Sequence, residues 1–470
     1  MSLIIAGERS GVGKTTITLA LLSFLCKHKH QVQSFKVGPD YIDPMFHSAV
    51  TGRPCRNLDP VLTSENYVRS CFSHHCQGVK YALVEGVMGL FDGIKFESNS
   101  QGKEISDFAS TAHIARLLDI PVLLVIDCRS LSGSVAAIAH GYRSLDPRVK
   151  IAGVILNKVG SDRHLQLLKD ALETLNLPIL GILRRQNTIT IPDRHLGLVP
   201  TEEINQLQTL FAELASLAEN CFDWEQLLPL LQTKIDPKHS FASSLNKNTS
   251  PQYPRTKIAV AKDKAFSFYY QDNLDILQNL GAELLLWSPL KDEKLPPGVQ
   301  GMYFGGGFPE VFVEELARNE LARKAVKKAI AAGIPTYAEC GGLMYLCEAI
   351  VDFTGKTWEM VGILPSQAVM GKKLTLGYRR GEAKQDSIIL KTGEVVWGHE
   401  FHRSQLSNKS TQPLFTIKSY RVDSPETSEG WQFKKLHASY VHLHFGEYKL
   451  IAERFIQNQS SNLKGKDNYD

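Results

Sequence analysis

The chain contains no apolar run long enough to cross a bilayer, no cysteine framework, no basic block and almost no net charge. Each absence removes a class of function. A membrane helix needs about 20 consecutive apolar residues, so no membrane partner is expected. Eight cysteines in 470 residues follow no disulfide spacing, which fits a reduced compartment rather than a stapled secreted scaffold. Within them, Cys71-Phe-Ser-His-His-Cys76 matches no common zinc-ligand pair and reads as a helix face. A formal charge of +4 without a basic stripe gives nucleic acid no electrostatic footprint. The first residues read as a strand leading straight into a glycine-rich loop, which leaves no room for a cleavable signal. The expected location is the cytoplasm.

What is present is an alternation of short apolar runs and helical stretches. At roughly 100–200 residues per domain the length predicts two large domains. Runs at 3–6, 32–37, 80–84, 121–126, 151–156 and 178–183 alternate with helical segments such as 15–26 and 105–118. That order predicts an α/β domain over residues 1–235, a mainly parallel sheet with helices on both faces and ligands beyond the carboxyl ends of its strands. Residues 236–255 are polar and proline-bounded and read as a linker. A second α/β domain follows at 256–455, with a disordered tail at 456–470.

The first strand ends in Gly7-Glu-Arg-Ser-Gly11-Val-Gly13-Lys14-Thr15-Thr16, a phosphate loop. Glycines let backbone N–H groups close around phosphates, Lys14 reaches the outer ones, and the Thr15 hydroxyl ligates Mg²⁺. Gly11, Gly13, Lys14, Thr15 and Thr16 are the candidate ATP-binding residues. Five residues separate Gly7 from Gly13, a spacing that resembles the dethiobiotin synthetase-like branch of P-loop proteins. Acidic residues close the next strands: Asp40 and Asp43 after Phe35-Lys-Val-Gly-Pro, and Glu85 and Asp92 around Glu85-Gly-Val-Met-Gly-Leu-Phe-Asp92. Glu85 and then Asp40 are expected to join Thr15 on Mg²⁺, while Asp43 and Asp92 face the acceptor substrate or order a loop. Asn157, at the end of the fifth strand, is expected at the adenine edge.

In the second half, strand 301–304 opens into Gly305-Gly306-Gly307, bare amides suited to an oxyanion hole. A short β-run then breaks into a helix at Cys340-Gly341-Gly342. A thiol at a helix N-terminus is drawn toward thiolate, and the glycines permit a sharp, exposed elbow. Gly306, Gly307 and Gly341 are the candidate oxyanion donors. Residues 436–445 alternate like one strand that places Tyr440, His442 and His444 on a single face; His442 is the candidate base for Cys340, with His444 to orient it.

With these pieces assembled, the second half resembles a class I glutamine amidotransferase domain and the first a dethiobiotin synthetase-type ATPase. Their fusion in this order resembles the cobyrinic acid a,c-diamide synthase family of corrinoid biosynthesis, most specifically at Lys36-Val-Gly-Pro-Asp40-Tyr-Ile-Asp43-Pro44, at Val84 to Gly93, at Gly398-His-Glu-Phe-His402 and at Ser439 to His444. Many class I amidotransferases carry a glutamate two residues after the catalytic histidine; here His444 stands there, which suggests a Cys–His dyad aided by a second histidine. The resemblance implies an ATP- and glutamine-dependent ligase, with Mg²⁺, that converts acetate carboxylates of a tetrapyrrole to acyl phosphates and then to amides. A homodimer is carried as the candidate assembly. The neighbouring readings are the same chemistry on hydrogenobyrinic acid or nickel-sirohydrochlorin. A P-loop ATPase switch with a silent amidase domain is the reading of another class, with Arg9 where such switches often place a signature lysine.

Overall fold

The computed structural model describes residues 2–94, 107–185, 193–194, 197–204, 206–233, 255–421 and 424–460. The chain forms two compact units, one from each half. Residues 236–254 of the expected linker lie outside the described residues. Among the described residues no helix is long and apolar enough to cross a membrane.

The first unit is a seven-stranded parallel sheet built from β1 (Leu3–Gly7), β2 (Val32–Val37), β3 (Arg56–Leu58), β4 (Tyr81–Glu85), β5 (Val122–Asp127), β6 (Ile151–Val159) and β7 (Ile179–Arg184), in the order β3-β2-β4-β1-β5-β6-β7. Its inner strands read as unbroken apolar runs because helices cover both faces and leave no solvent side to alternate with; every residue of β1, β2, β4 and β5 is buried. Among the exceptions to their apolar character, Lys36 on β2 and Glu85 at the end of β4 are buried charges, and they mark the site described below. β3, with three residues, is too short to carry a pattern and is absent from the sequence reading. Of the helix expected over 105–118, residues 107–110 form a turn and Thr111–Leu118 are helical; 105 and 106 lie outside the described residues. Cys71 and Cys76 pack into the apolar core at the end of helix Glu65–His75, as expected of a helix face.

The second unit has two sheets. β8 (Thr256–Ala261), β9 (Ala282–Trp287), β10 (Gly301–Phe304) and β11 (Thr336–Glu339) are mutually parallel. With β18 (Trp431–Phe433) and β19 (Leu436–Ser439) they form the order β9-β8-β10-β11-β19-β18. The other sheet runs β13-β12-β14-β15-β20, from β12 (Cys347–Val351), β13 (Thr357–Glu359), β14 (Leu364–Ala383), β15 (Val395–Leu406) and β20 (His442–Leu443), with β16 (Phe415–Ser419) beside β14 and β17 (Thr427–Glu429) beside β16. The strand expected over 436–445 is therefore two strands in two sheets, because the chain leaves the first sheet at Ser439 and enters the second at His442. Tyr440 sits between them, its ring stacked on His402 at 3.9 Å and its hydroxyl 2.8 Å from Ser404. The long helix expected over 309–331 is also broken: Asn319, with φ −80° and ψ 66°, ends Val313–Arg318, and its side chain caps Glu320–Ala331 by accepting from Ala322 N. The last helix, Lys449–Ser460, carries the fold past residue 455, where the tail was expected to start; Phe455 and Ile456 are fully buried and fix it to the core.

His437 on β19 gives this unit a pH signature. It is 1% exposed, between the rings of Tyr337 and Phe415, and shares a hydrogen bond with Ser387 Oγ. Burial pushes its pKa down to about 3. The folded unit thus holds a neutral imidazole that the unfolded chain protonates below about pH 6.5. Stability from this group is complete above that pH and drains away as the pH falls toward 3. His437→Gln is expected to narrow the drop in melting temperature between pH 7 and pH 4.5, measured by differential scanning fluorimetry at both.

Candidate active sites

The phosphate loop follows β1 and feeds helix Lys14–Lys27. Gly13, at φ +100°, is the N-cap, and a side chain there would meet Asn157 Nδ2 at 2.5 Å. That nitrogen donates to Val12 O at 2.7 Å, and Asn157 Oδ1 accepts from Lys158 N at 2.9 Å. Asn157 is a clasp on the loop: the amide expected at an adenine edge makes these bonds to backbone. It also forms part of the wall of a cavity of about 650 Å³ with Gly11, Gly13, Thr16, Arg129, Lys158 and Arg184. Cationic walls and loop amides together suit a polyphosphate.

A buried charge cluster stands at Thr15. Its hydroxyl donates to Glu85 at 2.7 Å and lies 3.3 Å from Asp43. Lys36 Nζ bridges the same two carboxylates at 2.8 and 2.6 Å, and His47 Nε2 is 2.7 Å from the second Glu85 oxygen. Burial alone would favour neutral groups. Here the charges answer one another: Lys36 and His47 outweigh burial and hold Glu85 well below the usual carboxylate range. Against the same burial, Asp43 and Glu85 hold Lys36 well above its ordinary value. For His47, contacts to Cys55 and Glu85 overcome burial and raise it to about 10. Asp43 is pushed up to about 7 by burial and by Asp40, and Lys14 down to about 8 by burial and by Lys36.

Asp40, expected on the metal, turns its carboxylate to the backbone N–H of Ile42 and Asp43 and so starts helix Ile42–Thr51. Asp43, expected at the substrate, takes the place beside Thr15. Asp92 closes its own turn by accepting from Gly89 N at 2.8 Å, while its charge helps keep Lys14 protonated. One hydroxyl and two carboxylates form a hard oxygen set that fits Mg²⁺. Lys36 and His47 escaped the sequence reading. His47 had a signal, since it stands four residues after Asp43 and hence on the same helix face; a lysine inside an apolar strand had none.

In the second unit, β11 ends at Glu339 and the chain turns sharply at Cys340, whose φ of +46° and ψ of −99° are strained for a residue with a side chain. Helix Gly341–Leu346 follows. A Cβ on Gly341 would lie 3.1 Å from Gly307 N, and one on Gly306 would overlap His442 Cε1. The glycine loop, the elbow and His442 are thus packed together without intervening atoms. Cys340 is 3% exposed, and burial, then Glu310 and Glu400, push its thiol well above the ordinary range. The expectation of a helix-stabilised thiolate gives way to a resting thiol that needs a base, because one short buried helix cannot offset desolvation and two carboxylates. His442 Nδ1 lies 3.6 Å from Glu339 Oε2. His444, expected to orient His442, instead lies 3.4 Å from Asp272 and packs on the Tyr270 ring.

Comparison with known proteins agrees with both units. Residues 3–199 match the CobQ/CobB/MinD/ParA nucleotide binding domain, and residues 257–450 match the CobB/CobQ-like glutamine amidotransferase domain. The chain is 57% identical to a cobyrinate a,c-diamide synthase of a Synechococcus species, over 97% of this chain and 98% of that one. Identity is 52% to the Synechocystis protein of the same name, over 97% and 92%, and 49% to that of Gloeobacter violaceus, over 97% and 96%. Fold and sites define an ATP-using, glutamine-hydrolysing carbon–nitrogen ligase. The chain belongs to the cobyrinate a,c-diamide synthase family.

Proposed function

We propose that this chain amidates the a and c acetate carboxylates of cobyrinic acid, a step of cobalamin biosynthesis, with nitrogen drawn from glutamine. The observation that carries the reading is that one chain holds both a phosphate-loop acid cluster and a strained cysteine elbow packed against a glycine loop. A carboxylate lacks a leaving group. Transfer of the ATP γ-phosphoryl group to it forms an acyl phosphate, which ammonia attacks with loss of phosphate. Lys14 and the loop amides hold the polyphosphate, and Lys36 offers a second cation beside the transfer. Thr15, Glu85 and Asp43 would hold Mg²⁺, which when bound neutralises phosphate charge. In the second unit, Cys340 attacks the glutamine side-chain carbonyl, the amides around Gly306, Gly307 and Gly341 face the oxyanion, and His442 takes the thiol proton and returns it to departing ammonia.

The test is mass spectrometry of cobyrinic and hydrogenobyrinic acids after incubation with the purified chain, Mg²⁺-ATP and glutamine. Two amides gained on either ring are the expected result, and the ring chosen identifies the pathway branch. No amide on either, with glutamine hydrolysis intact, would overturn the corrinoid assignment in favour of nickel-sirohydrochlorin.

A further inference from the structure

We infer that Glu339, the residue immediately before the nucleophile, is the positioning carboxylate of His442 and completes a Cys340–His442–Glu339 triad. The inference rests on Cys340 and His442 being nucleophile and base. Glutamine amidotransferase sequences of this class lead one to look for an acid two residues after the histidine, and there this chain has His444. The geometry supplies the acid from β11 instead.

Three observations carry it. Glu339 Oε2 is 3.6 Å from His442 Nδ1, with the two side chains 2% and 0% exposed. That distance is an ion-pair contact rather than a finished hydrogen bond. Second, the carboxylate is pinned: it accepts from the hydroxyls of Tyr303, at 3.2 Å, and Tyr337, and from Leu443 N at 3.0 Å. Leu443 adjoins His442, so one carboxylate fixes both the imidazole and the backbone that carries it. Third, the ring nitrogen of His444 is directed to Asp272 on another helix.

The chemistry follows from the placement. With Nδ1 toward a carboxylate, the ring proton resides on Nδ1 and the Nε2 lone pair is open to the thiol. Nε2 takes the Cys340 proton as sulfur bonds to the glutamine side-chain carbon. The resulting imidazolium is stabilised by Glu339. When the carbon–nitrogen bond breaks, that proton leaves on ammonia and a glutamyl thioester remains for water to hydrolyse. Other ionisable groups facing the pair are Glu310 after the glycine loop, and His399 and Glu400 on β15, whose His399 pairs in register with His442. These neighbours are unchanged in the variants below.

The test uses the full chain and follows glutamate release, ammonia-supported amidation and the pH dependence of Cys340 alkylation by iodoacetamide. Glu339→Gln is expected to lower kcat for glutamine hydrolysis by at least about 30-fold with KM within about threefold. Alkylation should shift to higher pH, because loss of the imidazolium's anionic partner outweighs relief of the direct repulsion between Glu339 and the thiolate, and ammonia-supported amidation should persist. Glu339→Asp should recover part of both losses. Asp272→Asn should leave kcat and the alkylation profile within about twofold, since its carboxylate lies beside His444 and not beside His442. An unchanged profile and kcat in Glu339→Gln, or the same shift in Asp272→Asn, would overturn the inference. Should Glu339→Gln fail to fold, Glu339→Asp decides alone: a smaller shift in the same direction supports the triad, and an unmoved profile overturns it. Glutamine hydrolysis that survived Cys340→Ala would instead sink the nucleophile assignment.

Discussion

Cys340→Ala is expected to lower glutamine hydrolysis and glutamine-driven amidation by at least roughly three orders of magnitude, while amidation driven by ammonium salt stays near its starting rate. On the proposed mechanism the thiol is the nucleophile of the elbow and forms the thioester. Alanine keeps the Cβ and the same backbone strain, so the fold around β11 should change little; the side chain is 3% exposed and the loss is a single sulfur atom. Free ammonia bypasses the thioester and meets the acyl phosphate directly. Glutamate release and counting of amides on the product, run side by side, separate the two nitrogen sources. Persistent glutamate release from the variant would mean that the elbow is structural.

The converse is expected of Glu85→Gln: amidation falls by roughly a hundred- to a thousandfold with either nitrogen source, and glutamine hydrolysis survives. Glu85 meets Thr15, Lys36 and His47 at once. Its neutralisation leaves Lys36, 4% exposed, with Asp43 as its remaining ion-pair partner and takes the carboxylate from fully buried His47. Removing one partner from a buried charge network commonly costs about 3–5 kcal/mol, so the variant should also melt lower. Saturating Mg²⁺-ATP separates the effects. A defect of stability alone would be relieved as nucleotide favours the folded state, whereas a defect in phosphoryl transfer would remain at any ATP concentration. Full amidation activity in a folded Glu85→Gln chain would remove this residue from the transfer site.

Much of this was legible before the fold was seen, for physical reasons. Parallel strands buried on both faces must be nearly continuous apolar runs, which is why β1, β2, β4 and β5 stand out in the sequence to within a residue. A phosphate loop needs glycines, lysine and a hydroxyl in fixed order, so Gly13, Lys14 and Thr15 announce themselves. Other features depend on distant partners. Whether Asp40 or Asp43 stands beside Thr15 turns on which of them takes the backbone N–H groups at the start of helix Ile42–Thr51, a choice of a few ångströms that residue type does not encode. Lys36 is unremarkable until β4 brings Glu85 alongside β2. The period-2 pattern of Leu436 to His444 is real, yet it cannot reveal that the chain changes sheets midway, and that change sends His442 to Glu339 and His444 to Asp272.

The backbone at Cys340 also bears on how a sequence of this kind can drift. A residue with a side chain at φ +46° costs on the order of 1–3 kcal/mol relative to a relaxed one, and glycine would relieve it at once. Cysteine stands there against the preference of the peptide chain, which the proposed demand for a nucleophile accounts for. In a descendant fed by free ammonia alone, that demand lapses. Position 340 is then expected to decay to glycine before the surrounding core does, leaving an intact fold whose first erased letter is its reactive one.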